Sequence, residues 1–151
     1  MGPPGHFAIG LAVKPAAPKA PLWVLLVASE LPDLLFFAFQ AFGIEKTSVS
    51  ATSLGRGVEI LTPGSIPWSH GLFMAVVWSV AAAAIAYLFY RDRRTSGLLG
   101  LTVLSHWVLD FVVHLPDLPL SFEGSPLLGL ALWGSGPGLI VSGILEVTLF
   151  A

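Results

Sequence analysis

The sequence has no cysteine, which excludes a disulfide framework, a thiolate zinc site and a cysteine nucleophile. Charge is scarce too: only 11% of the 151 residues are Asp, Glu, Lys or Arg, against roughly 25% in soluble globular chains. At 55% hydrophobic residues, a domain of this length cannot hide its apolar surface from water. The net charge of −2 gives no basic surface, so no nucleic-acid partner is expected. We therefore predict an all-α integral membrane protein whose partner is the lipid bilayer.

The chain contains about four stretches that approach the roughly 20 apolar residues of a transmembrane helix. They cover residues 20–42, 67–90, 97–115 and 126–151, within one membrane-embedded helical domain of residues 1–151. The glycine-rich residues 134–138 interrupt the last stretch, which predicts a short half-helix, a break, and then a second helix. Residues 7–13 are apolar but too few to span, so they predict a short interfacial or re-entrant segment.

The basic residues predict the orientation, because Lys and Arg are enriched in cytoplasmic loops. One side of the predicted membrane carries Lys14, Lys19, Arg91, Arg93 and Arg94, and the other carries Lys46 and Arg56. The larger group places both termini in the cytoplasm. Residues 43–66, rich in Gly, Ser and Thr, then form an outer loop that we expect to be mobile or to act as a lid.

Ionisable side chains inside the predicted helices carry the functional information. An acid at the centre of a transmembrane helix costs about 2.5–3.5 kcal/mol on insertion scales. None of the seven basic residues lies inside a predicted span, so Lys and Arg cannot offset this cost. Histidine or a metal ion is the remaining partner. The acids are Glu30, Asp33, Asp110 and Glu146, and the histidines in or beside these segments are His6, His70, His106 and His114.

The third predicted helix has the clearest pattern. His106, Asp110 and His114 are spaced i, i+4 and i+8, which places them on one stripe of a helix. Imidazole and carboxylate ligands suit zinc, and also iron or manganese. Two other interpretations remain open: Asp110 orients a histidine, or the stripe is a polar seam between helices. In lipid, the cost of burying these groups favours a metal or water site.

The first predicted helix contains a proline next to two acids. Pro32 has no N–H and clashes with the carbonyl of Ala28, so we expect a kink and a freed carbonyl there. Glu30 and Asp33 are three residues apart and share a face. Broken helices at membrane depth usually line a site or a cavity. The alternative is that Ser29 and Glu30 cap the second half of the helix.

Three further residues have weaker local signals. His70 lies in the first turn of the second predicted helix, where an isolated histidine is usually interfacial, but Asp33 and Asp110 are predicted at a similar depth. Glu146 is either in the middle of the last helix or a snorkelling residue near its end. His6 is a single histidine ahead of a short apolar run.

Five short motifs follow one another along the chain: His6 and the small residues up to Gly10, Leu31-Pro32-Asp33, Ser69-His70-Gly71, Ser105-His106 with Asp110, and the late Glu146. Their order and spacing resemble the YdjM-type family of inner-membrane metal-dependent hydrolases, also described as LexA-binding. The resemblance covers most of the chain. It implies a multi-pass protein of a bacterial-type inner membrane. Residues of these motifs would bind a divalent metal ion, with zinc as the favoured metal.

The chain departs from the family pattern at two positions. Many members have a second Asp where this chain has Leu35, and a paired histidine where residues 66–69 contain none. Two ligands are therefore missing, which favours a mononuclear site over a dimetal centre. The spacing of His106 and Asp110 also resembles that in zinc-dependent phospholipase C enzymes, which implies phosphoester chemistry on a lipid.

Our first functional hypothesis is a membrane-embedded metal hydrolase. His70, His106, Asp110, Asp33, His6 and His114 are the candidate ligands, and Asp33, Glu30 and Glu146 are the candidate general bases. The chain has no Gly-x-Ser-x-Gly motif, so a serine hydrolase is not expected. A lipid or phosphoester substrate would enter from the membrane.

Two other classes stay open. A transporter or channel component for protons or metal ions would use the intramembrane Asp and His residues as a relay and the helix breaks as its site. Four spans are few for a transporter and the chain shows no inverted repeat, and assembly into a homo-oligomer would remedy the first of these objections. A non-catalytic scaffold or regulator would use the same polar residues to hold helices together.

Overall fold

The computed structural model describes residues 1–47 and 66–150 and is mostly helical. These residues form seven α-helices: α1 Pro3–Val13, α2 Leu22–Ser29, α3 Leu31–Ala41, α4 Pro67–His70, α5 Leu72–Tyr90, α6 Arg93–Val113 and α7 Gly136–Phe150. Between α6 and α7 lie a short antiparallel pair, β1 Leu118–Pro119 and β2 Leu127–Leu128, and a 3-10 turn at Leu132–Gly134. Most of the predicted outer loop, including Arg56, lies outside the described residues.

Two helices are long and apolar enough to cross a membrane, which agrees with the predicted membrane class. α5 has 19 residues and α6 has 21. At 1.5 Å per residue they measure about 28 and 31 Å, close to the roughly 30 Å hydrocarbon core of a bilayer. The bent pair α2–α3 raises the number of candidate spans in the described chain to three. The predicted fourth span is not among them.

The predicted fourth span has a different structure. α7 has only 15 residues, or about 22 Å of helix, and is too short for a straight crossing. In place of the predicted half-helix before the glycine-rich break, the chain forms β2 and the 3-10 turn. The strand pairs Leu127 with Pro119 and Leu128 with Leu118, so this region is tied to the residues after α6.

The first predicted span is broken at Glu30, which confirms the expected kink. The axes of α2 and α3 differ by 59°, and Pro32 lies in the first turn of α3. The carbonyl of Ser29 at this break accepts a hydrogen bond from His106 Nδ1 at 2.8 Å. The Ser29 hydroxyl donates back to the Leu26 carbonyl in α2 at 2.8 Å, so it does not cap α3. The break therefore provides a main-chain carbonyl that accepts a hydrogen bond from a histidine of α6.

A tight connection joins α5 to α6. Arg91 ends α5 in the left-handed conformation (φ 50°), and the Asp92 carboxylate accepts the Thr95 N–H at 2.9 Å as the N-cap of α6. The bonds from Thr95, and then from Lys19 at 3.0 Å, lower the pKa of Asp92 to about 2. This cap starts α6 at Arg93 instead of residue 97. The Lys19 contact also places the two basic clusters at one end of the bundle.

α6 is the central helix of the described fold. It packs against α1, α2, α3 and α5. Half of the residues in its most apolar stretch are buried inside the protein, whereas only 17% are buried in the corresponding stretch of α5. Its buried side carries Leu99 and Val103 in the core with Leu25 of α2, and then His106 and Asp110. α1 packs against α2, α6 and α7 with one side buried. Polar groups on the buried side of α6 therefore meet residues of several other helices.

Gly100 allows α5 and α6 to approach closely. A Cβ at this position would lie 2.8 Å from the Ser79 carbonyl oxygen and 3.0 Å from the Ala83 Cβ. At this contact the Ser79 hydroxyl donates to the Gly100 carbonyl at 2.7 Å. We expect Gly100→Leu to lower the free energy of unfolding by about 1–3 kcal/mol, because the helices must separate. Reversible unfolding in mixed micelles measures this loss.

Gly97 on the same helix supplies the matched control. A Cβ there would meet no atom within 4 Å among the described residues. Gly97→Leu is therefore expected to leave the free energy of unfolding nearly unchanged. Equal losses in the two variants would show that the effect comes from the leucine itself and not from the α5–α6 contact.

Candidate metal site

Five ionisable side chains from four helices converge beside the break between α2 and α3. α1 contributes His6, α3 contributes Asp33, α4 contributes His70, and α6 contributes His106 and Asp110. All are buried except Asp33, whose side chain is 30% exposed. Helix α6 places His106 and Asp110 one turn apart, and the other three arrive through tertiary packing. The break in α2–α3 brings the first turn of α3 to this point.

The distances between these side chains are those of ligands around one ion. Asp33 Oδ1 lies 3.2 Å from His70 Nε2 and 3.6 Å from His106 Nε2. Asp110 Oδ2 lies 3.5 and 3.3 Å from the same two nitrogens. Two ligands of a tetrahedral zinc ion, each about 2.0–2.1 Å from the metal, are about 3.3 Å apart. Two sets each bring three ligand atoms within 4.8 Å of one another: His70, His106 and Asp110, and His6, Asp33 and His106.

The tautomer of His106 is set by its contact with the helix break. Its Nδ1 lies 2.8 Å from the Ser29 carbonyl, and a carbonyl only accepts, so Nδ1 carries the proton. In the neutral ring Nε2 then has a free lone pair. This atom is buried and has no hydrogen-bond partner among residues 1–47 and 66–150. Metal-binding histidines characteristically donate the other ring N–H to a fixed acceptor in this way.

The tautomer of His70 is set by a second chain of hydrogen bonds. Glu45 is buried and accepts the N–H groups of Trp68 and Ser69 at 2.8 and 2.9 Å and the Ser69 hydroxyl at 2.6 Å. The Ser69 hydroxyl has a single hydrogen, which it donates to Glu45, so it accepts a hydrogen bond from His70 Nδ1 at 2.9 Å. In the neutral ring His70 Nε2 then has a lone pair, and it lies within hydrogen-bond distance of Asp33 Oδ1, at 3.2 Å, so a proton or a metal ion joins these two atoms.

In their neutral forms, the two histidines place imidazole lone pairs against the two carboxylates, at distances of 3.2 to 3.6 Å. Acceptors that face acceptors in a buried site repel one another unless a cation or a proton lies between them. The two carboxylates together carry a charge of −2, which one divalent cation balances. The amino group of Met1 contacts Asp110 Oδ1. The arrangement has the chemistry of a cation site.

No family model, curated protein or solved structure matches this chain. The resemblance to the YdjM-type family therefore depends on the sequence motifs alone.

His6 lies at the centre of the site although its sequence signal was the weakest. Its ring stacks on the ring of His106, with centroids 3.7 Å apart. Its Nε2 lies 2.9 Å from the Met1 carbonyl, which makes Nε2 the donor. Its Nδ1 is buried without a hydrogen-bond partner in the described part of the chain. His6 thus offers the site a third neutral imidazole.

His114 does not join the site, although the helical stripe predicted that it would. α6 ends at Val113, and the backbone of His114 is extended (ψ 147°), so the i+8 position leaves the stripe. Its Nδ1 lies 3.1 Å from a carboxylate oxygen of Asp117, and its ring packs on Trp133. His114 belongs to neither set of candidate ligands.

The two glutamates predicted as bases have different surroundings. Glu30 is buried at the helix break, directly after Ser29, whose carbonyl accepts the hydrogen bond from His106. Its Oε1 has no hydrogen-bond partner within the described ranges. Glu146 of α7 is half-buried and accepts the Gly2 N–H at 2.8 Å, outside both ligand sets. Of the two, Glu30 is the one at the helix break that carries the Ser29–His106 contact.

Sequence reasoning missed Glu45 and Ser69. Glu45 follows the end of α3 in a segment that resembles an ordinary polar loop, so no helical spacing links it to His70. Ser69 was visible only as part of the Ser69-His70-Gly71 motif. A buried acid in a polar loop has no sequence signature, because its burial depends on where α4 packs.

Glu45→Gln is expected to weaken metal binding by about 10–100-fold, the usual effect of losing a group that orients a ligand. The amide NH₂ would donate to the Ser69 hydroxyl, which would then donate to His70 Nδ1 and move the ring proton to Nε2. Competition with a chromophoric chelator measures the affinity, and nitrogen NMR of the imidazole reports the tautomer. Weaker binding with an unchanged His70 tautomer would contradict this role and indicate a general loss of structure.

Proposed function

We propose that this chain is a membrane-embedded, metal-dependent hydrolase related to the YdjM-type family. His70, His106 and Asp110 are the proposed core ligands, with Asp33 and His6 at the same site. One observation carries the proposal: the Nε2 atoms of both α4 and α6 histidines face carboxylates while fixed acceptors hold their Nδ1 atoms. A neutral imidazole nitrogen and a carboxylate oxygen need a cation between them, and one divalent ion would serve both histidines at once.

Zinc fits the donor set best among common metals. The donors are imidazole nitrogens and carboxylate oxygens, and catalytic zinc sites use three such protein ligands and keep one position open. Each of the two three-residue sets supplies that number. When bound, such an ion acts as a Lewis acid on water and on a carbonyl or phosphoryl oxygen.

Glu30 is the proposed general base. Its buried carboxylate lies at the helix break, and its Oε1 has no hydrogen-bond partner among the residues that the structure describes. In the hydrolysis, the water oxygen bonds to the carbonyl carbon or the phosphorus, and the bond from that atom to the leaving oxygen breaks. Glu30 accepts one proton from the water and returns it to the leaving oxygen. One water is consumed, and an acid and an alcohol are released.

The site lies away from the basic end of the bundle. His106 is about 20 Å along α6 from Arg93, beside the end marked by the Lys19–Asp92 contact. With that end in the cytoplasm, as the positive-inside rule predicts, the site belongs to the outer half of the inner membrane. Substrate would reach it from the outer leaflet.

Turnover tests this proposal directly. Detergent-purified protein prepared without chelators is assayed with p-nitrophenyl phosphate and p-nitrophenyl acetate before and after treatment with EDTA. We expect hydrolysis that EDTA abolishes and added zinc restores. Wild-type protein that carries no stoichiometric divalent metal, and hydrolyses neither compound when zinc is supplied, would refute the proposal.

A second candidate is a transporter for protons or metal ions. The observation that favours it is the 59° break with buried Asp and His residues beside it, since transporters place their sites at discontinuous helices. Zinc or proton flux into proteoliposomes that Asp33→Asn abolishes would support transport over hydrolysis.

A further inference from the structure

A large apolar groove lies beside the metal site. It has a volume of about 650 Å³ and runs between α2, α3, α5 and α6. Its walls include Val27 of α2, Ala82 of α5 and Val103 of α6, and its rim includes Trp23 and Phe89. Volumes of about 300–1,000 Å³ are typical of pockets for small molecules. The lining is almost entirely apolar, so the groove suits a hydrocarbon ligand.

One end of the groove adjoins the metal site. Ala28 lines it and immediately precedes Ser29, whose carbonyl holds His106. Val103 lines it one helical turn before His106, and Leu31 lines it directly after Glu30. A ligand in the groove can therefore extend towards the ligands and the proposed base at the helix break.

The other end lies near the basic end of the bundle. Trp23 at the start of α2 and Tyr90 at the end of α5 line it there, beside the Lys19–Asp92 contact. The groove thus runs from the metal site towards the opposite membrane surface. A lipid in the leaflet on the metal-site side is oriented in the same direction as the groove. Its head group lies at the membrane surface near the metal site, and its acyl chains point towards the midplane.

We propose that this groove holds an acyl chain of a membrane lipid and that the substrate of the hydrolase is the ester-bearing head of that lipid. This inference rests on the proposed function and assigns its substrate class. The rim residues Trp23 and Phe89 are 67% and 80% exposed, and on membrane-spanning helices this exposure is to hydrocarbon. An unfilled groove would forfeit van der Waals contacts along its walls, and acyl chains are the molecules that surround it.

The first test measures lipid binding without any need for turnover. Native mass spectrometry follows retention of palmitoyl-oleoyl-phosphatidylglycerol added to detergent-solubilised protein. Ala82→Phe places a ring in the groove and is expected to weaken retention about tenfold, as overpacking of a filled site does. Ile85→Trp narrows the rim of the groove without entering the core, and is expected to act in the same direction.

Ala84→Phe is the matched control, because Ala84 is exposed on the same helix and does not line the groove. We expect it to retain lipid as wild type does. Equal retention in the wild type and in both groove variants would overturn the proposal. The proposal would also be overturned if a groove variant kept its lipid but no longer formed a dimer that chemical cross-linking detects in the wild type. A second copy of the chain, and not a lipid, would then cover the groove.

A second test separates the groove from the metal chemistry. Ala82→Phe is expected to keep its zinc but to lose turnover of the long-chain lipid about tenfold. Release of fatty acid identifies an acyl ester as the scissile group, and release of diacylglycerol identifies a phosphoester. His106→Ala is expected to lose zinc while still retaining lipid. Lipid retention by a wild type without zinc or turnover would refute the proposed function and still support the groove assignment.

Discussion

His106→Ala is expected to lose its bound divalent ion, with an affinity lower than that of the wild type by more than about a hundredfold. His106 is the residue common to both candidate ligand sets, and its Nε2 is the buried atom that faces both carboxylates. Losing a group that only orients a ligand costs about 10–100-fold in affinity, so losing the ligand itself should cost more. Elemental analysis and competition with a chromophoric chelator measure the effect.

His114→Ala is the matched control for this experiment. It removes a histidine of the same helical stripe that pairs with Asp117 and lies outside both ligand sets. We expect His114→Ala to bind the ion as tightly as the wild type does. Equal metal loss in the two variants would indicate that α6 is disrupted as a whole. Unchanged metal binding in His106→Ala would refute the proposed metal site.

Glu30→Gln is expected to keep the metal and to lose about 10²–10⁴-fold in the rate of hydrolysis. This loss is the usual contribution of a positioned general base. Glutamine keeps the size of the side chain at the helix break but cannot accept a proton. Because Glu30 belongs to neither ligand set, the metal affinity should stay close to that of the wild type. Parallel measurements of zinc content and of p-nitrophenyl acetate turnover give both quantities.

Glu146→Gln separates the two candidate glutamates. Glu146 accepts the Gly2 N–H and lies outside the ligand sets, so its substitution should change turnover little. A severe loss of turnover in Glu146→Gln together with full activity in Glu30→Gln would exchange the proposed roles. Loss of zinc in Glu30→Gln would make Glu30 a ligand and not a base.

Several features of the fold follow from local chemistry and were predictable. The low charge and long apolar runs indicated a helical membrane protein, and two helices are indeed long enough to span. Pro32 indicated the break, because a proline within a long apolar run has no N–H to continue the helix and clashes with the carbonyl four residues earlier. The start of α6 was misjudged, because Asp92 caps it and draws Arg93 into the helix.

The site was predictable only where its residues share a helix. His106 and Asp110 are one turn apart, so their common face follows from helix geometry alone. The same rule failed for His114, because periodicity does not show that α6 ends at Val113. His6 and Glu45 lie far from α6 in sequence, and their burial depends on how α1 and α4 pack.

By itself, the amino-acid sequence determined that this chain lies in lipid, because it has so little charge. It also determined that the acids and histidines buried there need a cation or one another as partners. Only the tertiary structure decided which of them meet. Spacing along one helix relates neighbours within a few turns, whereas the contacts among α1, α3, α4 and α6 depend on the break between α2 and α3 and on tertiary packing. Those contacts bring Asp33, His70 and His6 to the stripe of α6, and His114 and Glu146 lie outside both ligand sets.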